Sequence, residues 1–590
     1  MRTMRRILPL TLTLLACATG VPGTSSPRPA DDLDAFVAAQ MAQRRIAGLS
    51  LAIIQDGRVV DARAYGVTEL GGSQPVTTST LFQAGSISKP VAAMGALRLV
   101  EQGRLPLETD VNATLKSWKV PTNEFTAVKP VTLRGLLSHT AGLTVHGFPG
   151  YAVDGPMPTV VQVLDGAPPT NTAPIRVDVA PGSLWRYSGG GYTVMQQMVV
   201  DATGQSFPEY MRQAVLEPAG MTRSSYEQPL PSALAAATAS GHYADQRPVK
   251  GRWHVYPEMA AAGLWTTPTD LARFAIEVQR SYTGQSNAVL SQAMTRRMLT
   301  EEKNGYGLGV AVQGTGRAMM FGHNGRDEGF DASMNASAET GQGLVVMINA
   351  NDNSSMVNRI VGFVAKKYGW PAMVSTYVPP VASAEAIPLV RLQSYTGRYE
   401  FSNNNMMTLA TAGGRLFTLT NGLRDEEFVP IGGDQFVSTD RDSRIVFTRN
   451  AGGAVTGLTW TRGTQTRTIP RIGPLVSMLG RQMDPDPAFT ARLDATLRLM
   501  TQGGAAVASA PALTAGAQRD FSGSPWPPVA GYRGVRFIGA QSVAGRALER
   551  HGHPVDRVAY YTLTTESGQR ALLVWVTSDG LITDFDDVDD

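Results

Sequence analysis

The sequence predicts an α/β protein: an antiparallel sheet with flanking helices, a small β-barrel or sandwich after it, and a C-terminal α+β domain. Three observations predict it. The chain has 590 residues, well beyond the roughly 250–300 at which one hydrophobic core stops growing. Strand-like runs lie at both ends of the first 370 residues, with helices and loops between them, so one sheet must draw on both ends. A Pro/Ala-rich stretch at 371–390 then separates this region from short alternating strands with glycine turns, the pattern of a linker and a small β domain. Hydrophobic residues make up 43% and charged residues 17%, a globular balance rather than a disordered one.

The first sixteen residues carry Arg2, Arg5 and Arg6 and no acid, and the net charge of +3 is theirs. The remainder is near neutral, which argues against a nucleic-acid partner, since such a protein shows a basic face. After MRTMRR comes the apolar run 7–15, shorter than the roughly 20 residues a membrane span needs, so it reads as an export signal. Cys17 is the single cysteine, which leaves no disulfide framework and no cysteine-based zinc site within the chain. Leu14-Leu15-Ala16-Cys17 resembles a bacterial lipoprotein signal. That resemblance implies a lipoprotein-type signal peptide at 1–17, cut so that a lipidated Cys17 becomes the new N-terminus, with a periplasmic location and a membrane partner through the lipid. Ala18 in place of Asp implies the outer membrane. The alternative is an ordinary signal cut a few residues later. Residues 18–31 are rich in Pro, Ser, Gly and Thr, as in a flexible tether.

A first domain is expected over 32–370. Leu33, Phe36, Val37 and Met41 share one face of a helix within 32–46. Strands are expected at 49–55 and 58–65, joined by the hairpin turn Asp56-Gly57, and again at 305–313, 317–323, 330–337 and 343–350. Beyond the linker, strands are expected at 397–401, 406–412, 415–420, 435–439, 444–448, 455–461 and 464–469 within a β domain at 391–472. In the last domain, 473–590, a helix is expected within 474–502, a low-complexity loop at 503–520, strands at 532–543, 558–565 and 570–577, and a solvated acidic tail at 584–590.

The segment 81–103, LFQAGSISKPVAAMGALRLVEQG, holds the chemistry. Pro90 fits only near a helix start and Gly103 stops the helix, so it begins around Ser86. Ser86 and Lys89 then lie three apart on one face. A buried lysine loses its preference for the charged form and serves as a base near neutral pH. A serine at a helix start keeps its N–H free for an oxyanion. Taken alone, the pair is more often the mark of a capping serine and a surface lysine.

Four further segments decide between these: LLSHTAGL at 136–143, WRYSGGGY at 185–192, EMAAAGLWTTPTDLARF at 258–274 and FGHNGRDEGF at 321–330. With GSISK at 85–89, their order and spacing resemble the serine β-lactamase and penicillin-recognising family, in particular class C β-lactamases, family VIII carboxylesterases and D-amino-acid peptidases. The resemblance covers about 32–370 and implies a β-lactamase-like domain there. It implies that Ser86 is the acylated nucleophile and Lys89 its base or proton relay. Tyr187 matches the tyrosine of a Tyr-x-Asn motif, a general base and proton donor to the leaving group. His323-Asn324-Gly325 stands at the family's Lys-Thr-Gly or His-x-Gly, and the N–H groups of Ser86 and Arg326 form the oxyanion hole. A phenol needs a neighbouring cation to ionise near neutral pH, and Lys89 is the expected one.

Two positions depart from the family pattern. Gly189 replaces the asparagine of Tyr-x-Asn, which places amide recognition in doubt more than acylation. His323 replaces a permanent cation with a group that ordinarily titrates near pH 6.5, so carboxylate anchoring is expected to depend on pH. His139 is expected to be structural, and His551 and His553 to lie in a solvated loop rather than on a metal. No cofactor is expected. The resulting expectation is an exported serine hydrolase acting through an acyl-enzyme on an ester, amide or peptide: an esterase, D-amino-acid peptidase or β-lactamase-like enzyme. The alternatives are a penicillin- or peptide-binding sensor without turnover, and C-terminal binding modules beside a vestigial hydrolase.

Overall fold

A computed structural model describes residues 31–588 except 245, 352, 374–386, 403–404, 421, 464, 481, 503, 524–528, 530, 547 and 567. Cys17, the signal and tether segments, and most of the expected linker lie outside the described residues.

The first sheet is six-stranded and antiparallel, in the order Arg58–Gly66, Gly48–Gln55, Gly343–Ile348, Phe330–Ser337, Met320–Asp327 and Ala311–Gln313. Both chain ends of the region meet at its centre, where Ser50 stands opposite Met347. The strand Gly48–Gln55 is buried up to its last residue because both of its faces are covered. Leu49, Leu51 and Ile53 pack with Leu33 and Val37 of the helix Asp32–Arg44 and with Ile360 and Val364 of the helix Ser354–Tyr368. Ala52 and Ile54 face the larger core, which holds the helices Ser88–Glu101, Gly189–Thr203 and Pro268–Tyr282. The period-two alternation of a strand thus feeds two cores. The strand expected over 305–313 shrinks to Ala311–Gln313, because Gly305 and Gly309 turn the chain through positive φ values of 70° and 101°.

The β domain is a closed eight-stranded barrel, sealed where Gly397–Ser402 pairs with Gln465–Gly473. Tyr399, Leu409, Leu416, Phe428, Phe436, Ile445, Leu458 and Ile469 are buried in one core cluster, so side chains fill the interior, as in small barrels. The eighth strand, Leu423–Gly432, was not expected from the sequence LRDEEFVPIG. Its charges have a task outside the barrel: Asp425 Oδ1 accepts from Arg44 at 2.6 Å and from Arg359 at 2.7 Å, tying the barrel to two helices of the first region.

The C-terminal part is an antiparallel sheet of Tyr532–Ser542, Arg557–Thr565, Gly568–Val576 and Ile582–Val588, packed with the helix Pro487–Met500. Three expectations fail here. The expected loop at 503–520 contains the helix Gly504–Val507 and the start of Ala515–Gly523, whose small apolar residues bury Val507, Ala510, Leu513 and Ala517. The acidic tail is not a solvated one: Ile582–Val588 is a strand, with Asp584 and Phe585 buried. Nor does His551 lie in a free loop, because its ring is paired with Asp520 and Asp584.

Candidate active site

Ser86 sits in a tight turn, Gly85–Ile87, immediately before the helix Ser88–Glu101. The turn is shaped by contact with the strand Met320–Asp327. Gly85 has φ +51°, and a Cβ there would lie 2.4 Å from the Arg326 nitrogen; a Cβ on Gly325 would lie 1.9 Å from the Ala84 oxygen. Only glycine permits backbone to meet backbone this closely. The Arg326 peptide is thereby set beside the nucleophile turn.

Lys89 follows Ser86 by three residues and is 2% exposed. Its Nζ lies 2.9 Å from Ser86 Oγ and 2.8 Å from the Ala261 carbonyl oxygen. Burial draws its pKa down to about 7, and the Asp327 carboxyl partly opposes this. Tyr187 ends an extended segment just before Ser188, whose Oγ accepts the Gly191 N–H at 3.0 Å and caps the helix Gly189–Thr203. Lys89 Nζ lies 4.9 Å from the Tyr187 ring centroid, and the Ser86 hydroxyl hydrogen-bonds the phenol. Ser86, Lys89 and Tyr187 therefore lie together in one cleft. The phenol itself departs from expectation: burial pushes its pKa above the ordinary value of 10 and outweighs the Ser86 hydrogen bond. Of the two candidate bases, Lys89 is the one poised near neutrality.

His139 is buried, and its Nδ1 accepts the Ser188 N–H at 3.1 Å. Its ring lies 4.3 Å from that of Tyr187, so this structural histidine also fixes the phenol. His323 hydrogen-bonds the Asn324 carbonyl through Nδ1 and the Tyr306 hydroxyl through Nε2, at 3.0 Å. A carbonyl accepts, so Nδ1 carries the proton and Tyr306 donates to Nε2. Burial, reinforced by Lys89, draws its pKa to about 4. The expectation of titration near 6.5 is thus corrected: His323 is neutral at physiological pH and offers no cation there.

Gly189 does not open space for a side chain. A Cβ would meet Phe148 Cε2 at 3.0 Å and the His146 oxygen at 3.1 Å. Phe148 occupies the room beside Gly189, and Ser86, Lys89, Tyr187, Phe148, Ala262 and Asp327 line a cleft of about 250 Å³.

Sequence reasoning missed Phe148, Tyr306, Asp327 and Glu258. The first two come from loops without a motif. Asp327 had a signal: it falls in register with Gly325, two residues on, on the buried side of the strand Met320–Asp327. Glu258 opens the segment 258–274 and is fully buried, its pKa raised to about 8 by desolvation.

The family model described as Beta-lactamase matches residues 33–364, more than half of the chain. A domain of unknown function, DUF3471, matches residues 382–471. Penicillin-binding protein 4 of Amycolatopsis lactamdurans is 25% identical over 382 residues, covering 61% of this chain and 94% of that protein. Esterase EstB of Burkholderia gladioli is 28% identical over 218 residues, covering 35% and 54%. Among solved structures, the octameric penicillin-binding protein homologue from Pyrococcus abyssi superposes with a TM-score of 0.50 at 21% identity, covering 74% of this chain and 99% of that one, a likeness of fold.

Proposed function

Because the chain belongs to the β-lactamase family, whose members are serine hydrolases, we propose that it hydrolyses carboxylic esters through an acyl-enzyme on Ser86. The carrying observation is the 2.9 Å contact between Lys89 Nζ and Ser86 Oγ in a pocket that holds the lysine near pH 7. In its neutral form Lys89 donates to the Ala261 carbonyl and turns its lone pair to the Ser86 hydroxyl. Ser86 Oγ attacks the carbonyl carbon as its proton passes to Lys89. The N–H groups of Ser86 and Arg326, brought together by Gly85 and Gly325, take the developing oxyanion. Tyr187, held protonated by burial and bonded to Ser86, is suited to give its proton to the leaving oxygen and recover one from Lys89. Water then attacks the acyl-enzyme by the reverse relay.

An ester is favoured over an amide for a reason that geometry supports. Phe148, rather than a side-chain amide, lies beside Gly189, and a site lacking a polar partner discriminates weakly for a substrate amide. An amide nitrogen must be protonated to leave, whereas a good alkoxide or phenolate leaving group needs this least. Measured kcat/KM should be highest for p-nitrophenyl butyrate, with a chromogenic cephalosporin and a D-Ala peptide lower by about two orders of magnitude. A preference for the lactam or the peptide would overturn the ester reading while leaving the acyl-enzyme intact.

Attachment to the outer membrane through acyl chains on Cys17 is part of the same reading, supported by the basic, apolar and Leu-Leu-Ala-Cys order of residues 1–17. Two or more chains give stable anchoring where one does not. Peptide mapping should find a modified Cys17 as the mature N-terminus; a start further downstream would refute it.

A further inference from the structure

Behind the nucleophile turn lies a carboxyl that the mechanism above does not use. Asp327 is 4% exposed at the end of the strand Met320–Asp327, and it borders the catalytic cleft. The Gly85 N–H favours the ionised form of its carboxyl, and its Oδ2 has no hydrogen-bond partner among the described residues. The groups around it are few. Lys89 faces it from the helix Ser88–Glu101, Glu258 from the segment before the helix Met259–Ala262, Tyr256 from the same segment, and Glu328 from its own strand end. Lys89 in turn is faced by Tyr187, Tyr192, His139, His146 and His323, none of which supplies a negative charge at neutral pH. Among the described residues, Asp327 is the carboxyl that acts on Lys89.

We propose that Asp327 is a positioning residue for acylation: it is the counter-charge for Lys89 when that lysine takes the Ser86 proton. The inference rests on the acyl-enzyme reading. Its covalent step is the one already described, with the Ser86 O–H proton moving to Lys89 Nζ as Oγ bonds the acyl carbon. Asp327 neither gains nor loses a bond. An ammonium formed in a dry pocket is costly unless an opposite charge is near, and Asp327 is placed to lower that cost in the transition state. Desolvation pushes its own pKa well above the ordinary carboxyl value, with Lys89 and Gly85 opposing. Formation of the Lys89 ammonium favours the ionised carboxyl, which then supplies the counter-charge at that step.

The test compares wild type with Asp327→Asn, which keeps an oxygen for the Gly85 N–H but removes the charge. Burst-phase acylation by p-nitrophenyl butyrate is followed from pH 5 to 10, beside circular dichroism and melting. The expected result is a folded protein whose acylation rate falls about tenfold or more and whose acid limb moves down by about one pH unit, as for a cation losing a nearby opposite charge. Asp327→Ser, a smaller acceptor, should show the same limb shift and serves if the asparagine variant does not fold. An unchanged limb in the folded variant, whatever its melting temperature, would reduce Asp327 to a structural part and overturn the proposal. Ser86→Ala is run in parallel: if it too acylates, the hydrolase reading itself has failed, and the two failures are told apart.

Discussion

Lys89 and Arg550 are equally cut off from solvent, at 2% and 1% exposure, yet their surroundings differ in kind. Arg550 lies where the barrel meets the C-terminal sheet. It bonds Glu400 of the barrel, lies 3.3 Å from Asp584 Oδ2, and stacks 3.8 Å over the Trp575 ring. Arg44 and Arg359 share Asp425 in the same manner where the barrel meets the first region. Around Lys89 the partners are a hydroxyl, a carbonyl and an aromatic face, none of them charged. The docking contacts match buried charge with charge; the catalytic pocket leaves it under-compensated. Under-compensation is what moves a lysine into the range where it accepts a proton at neutral pH, so the two regions show the same physics put to different ends.

Lys89→Met breaks the comparison at its active end. Removing the base should cut acylation by about 100-fold or more, while the melting temperature holds or rises because a buried, under-compensated charge has gone. Rapid-mixing kinetics and calorimetry on one preparation check both halves. A stability loss comparable to that of a broken ion pair would mean that Lys89 is better compensated than described.

Arg550→Met breaks it at the other end. Glu400 and Asp584 are left facing each other without their cation, and the C-terminal transition should lose about 3–5 kcal/mol. Acylation of Ser86 should be unaffected, since no residue of the pocket is touched. Denaturant unfolding followed by Trp fluorescence, with labelling of the same samples, tests this; two transitions are expected in a chain with several cores.

The pH dependence sharpens the contrast. Lys89 must be neutral to act, so kcat/KM should rise with pH through about 7 and then level. The stability sign is set by the same shift. The folded pKa lies below the unfolded value of 10.5, so the unfolded chain binds more protons between about 7 and 10.5, and stability rises with pH across that window. Lys89→Met should flatten this rise, which paired melting curves at pH 7 and 9 will read.

A smaller effect is expected from Gly189→Ala. Its Cβ must press on Phe148 at 3.0 Å, a tight contact that costs about 1–3 kcal/mol if the ring cannot move. Ester hydrolysis should fall a few-fold as Phe148 shifts in the cleft. Gly189→Asn, the larger change, should not restore amide recognition for the same reason, and an increased kcat/KM for the D-Ala peptide would show that Phe148 yields readily.

Much of the site was legible because short-range rules fix it. Pro90 and Gly103 bracket the helix, the three-residue spacing brings Ser86 and Lys89 together, and the Gly85 and Gly325 contacts explain why glycines flank the motifs. The resemblance then supplied Tyr187 and His323, whose approach to Ser86 depends on chain segments a hundred or more residues away. What stayed hidden was the environment of each group. Phe148 filling the room beside Gly189, the Tyr306 hydroxyl on His323 and the Asp327 carboxyl behind Lys89 are non-local facts, and they reversed the expected titration of His323 and Tyr187. The same limit applied to the barrel. The strand Leu423–Gly432 is not among those expected from the sequence, and its acidic run is explained only when Arg44 and Arg359 are seen to claim Asp425.

The central claim is that Ser86 becomes acylated. Wild-type protein and Ser86→Ala, both checked for fold by circular dichroism, are treated with a fluorophosphonate and mapped by peptide mass spectrometry. The account expects one adduct, on Ser86, in the wild type and none in the variant; an adduct on another residue, or labelling that persists in Ser86→Ala, would contradict it.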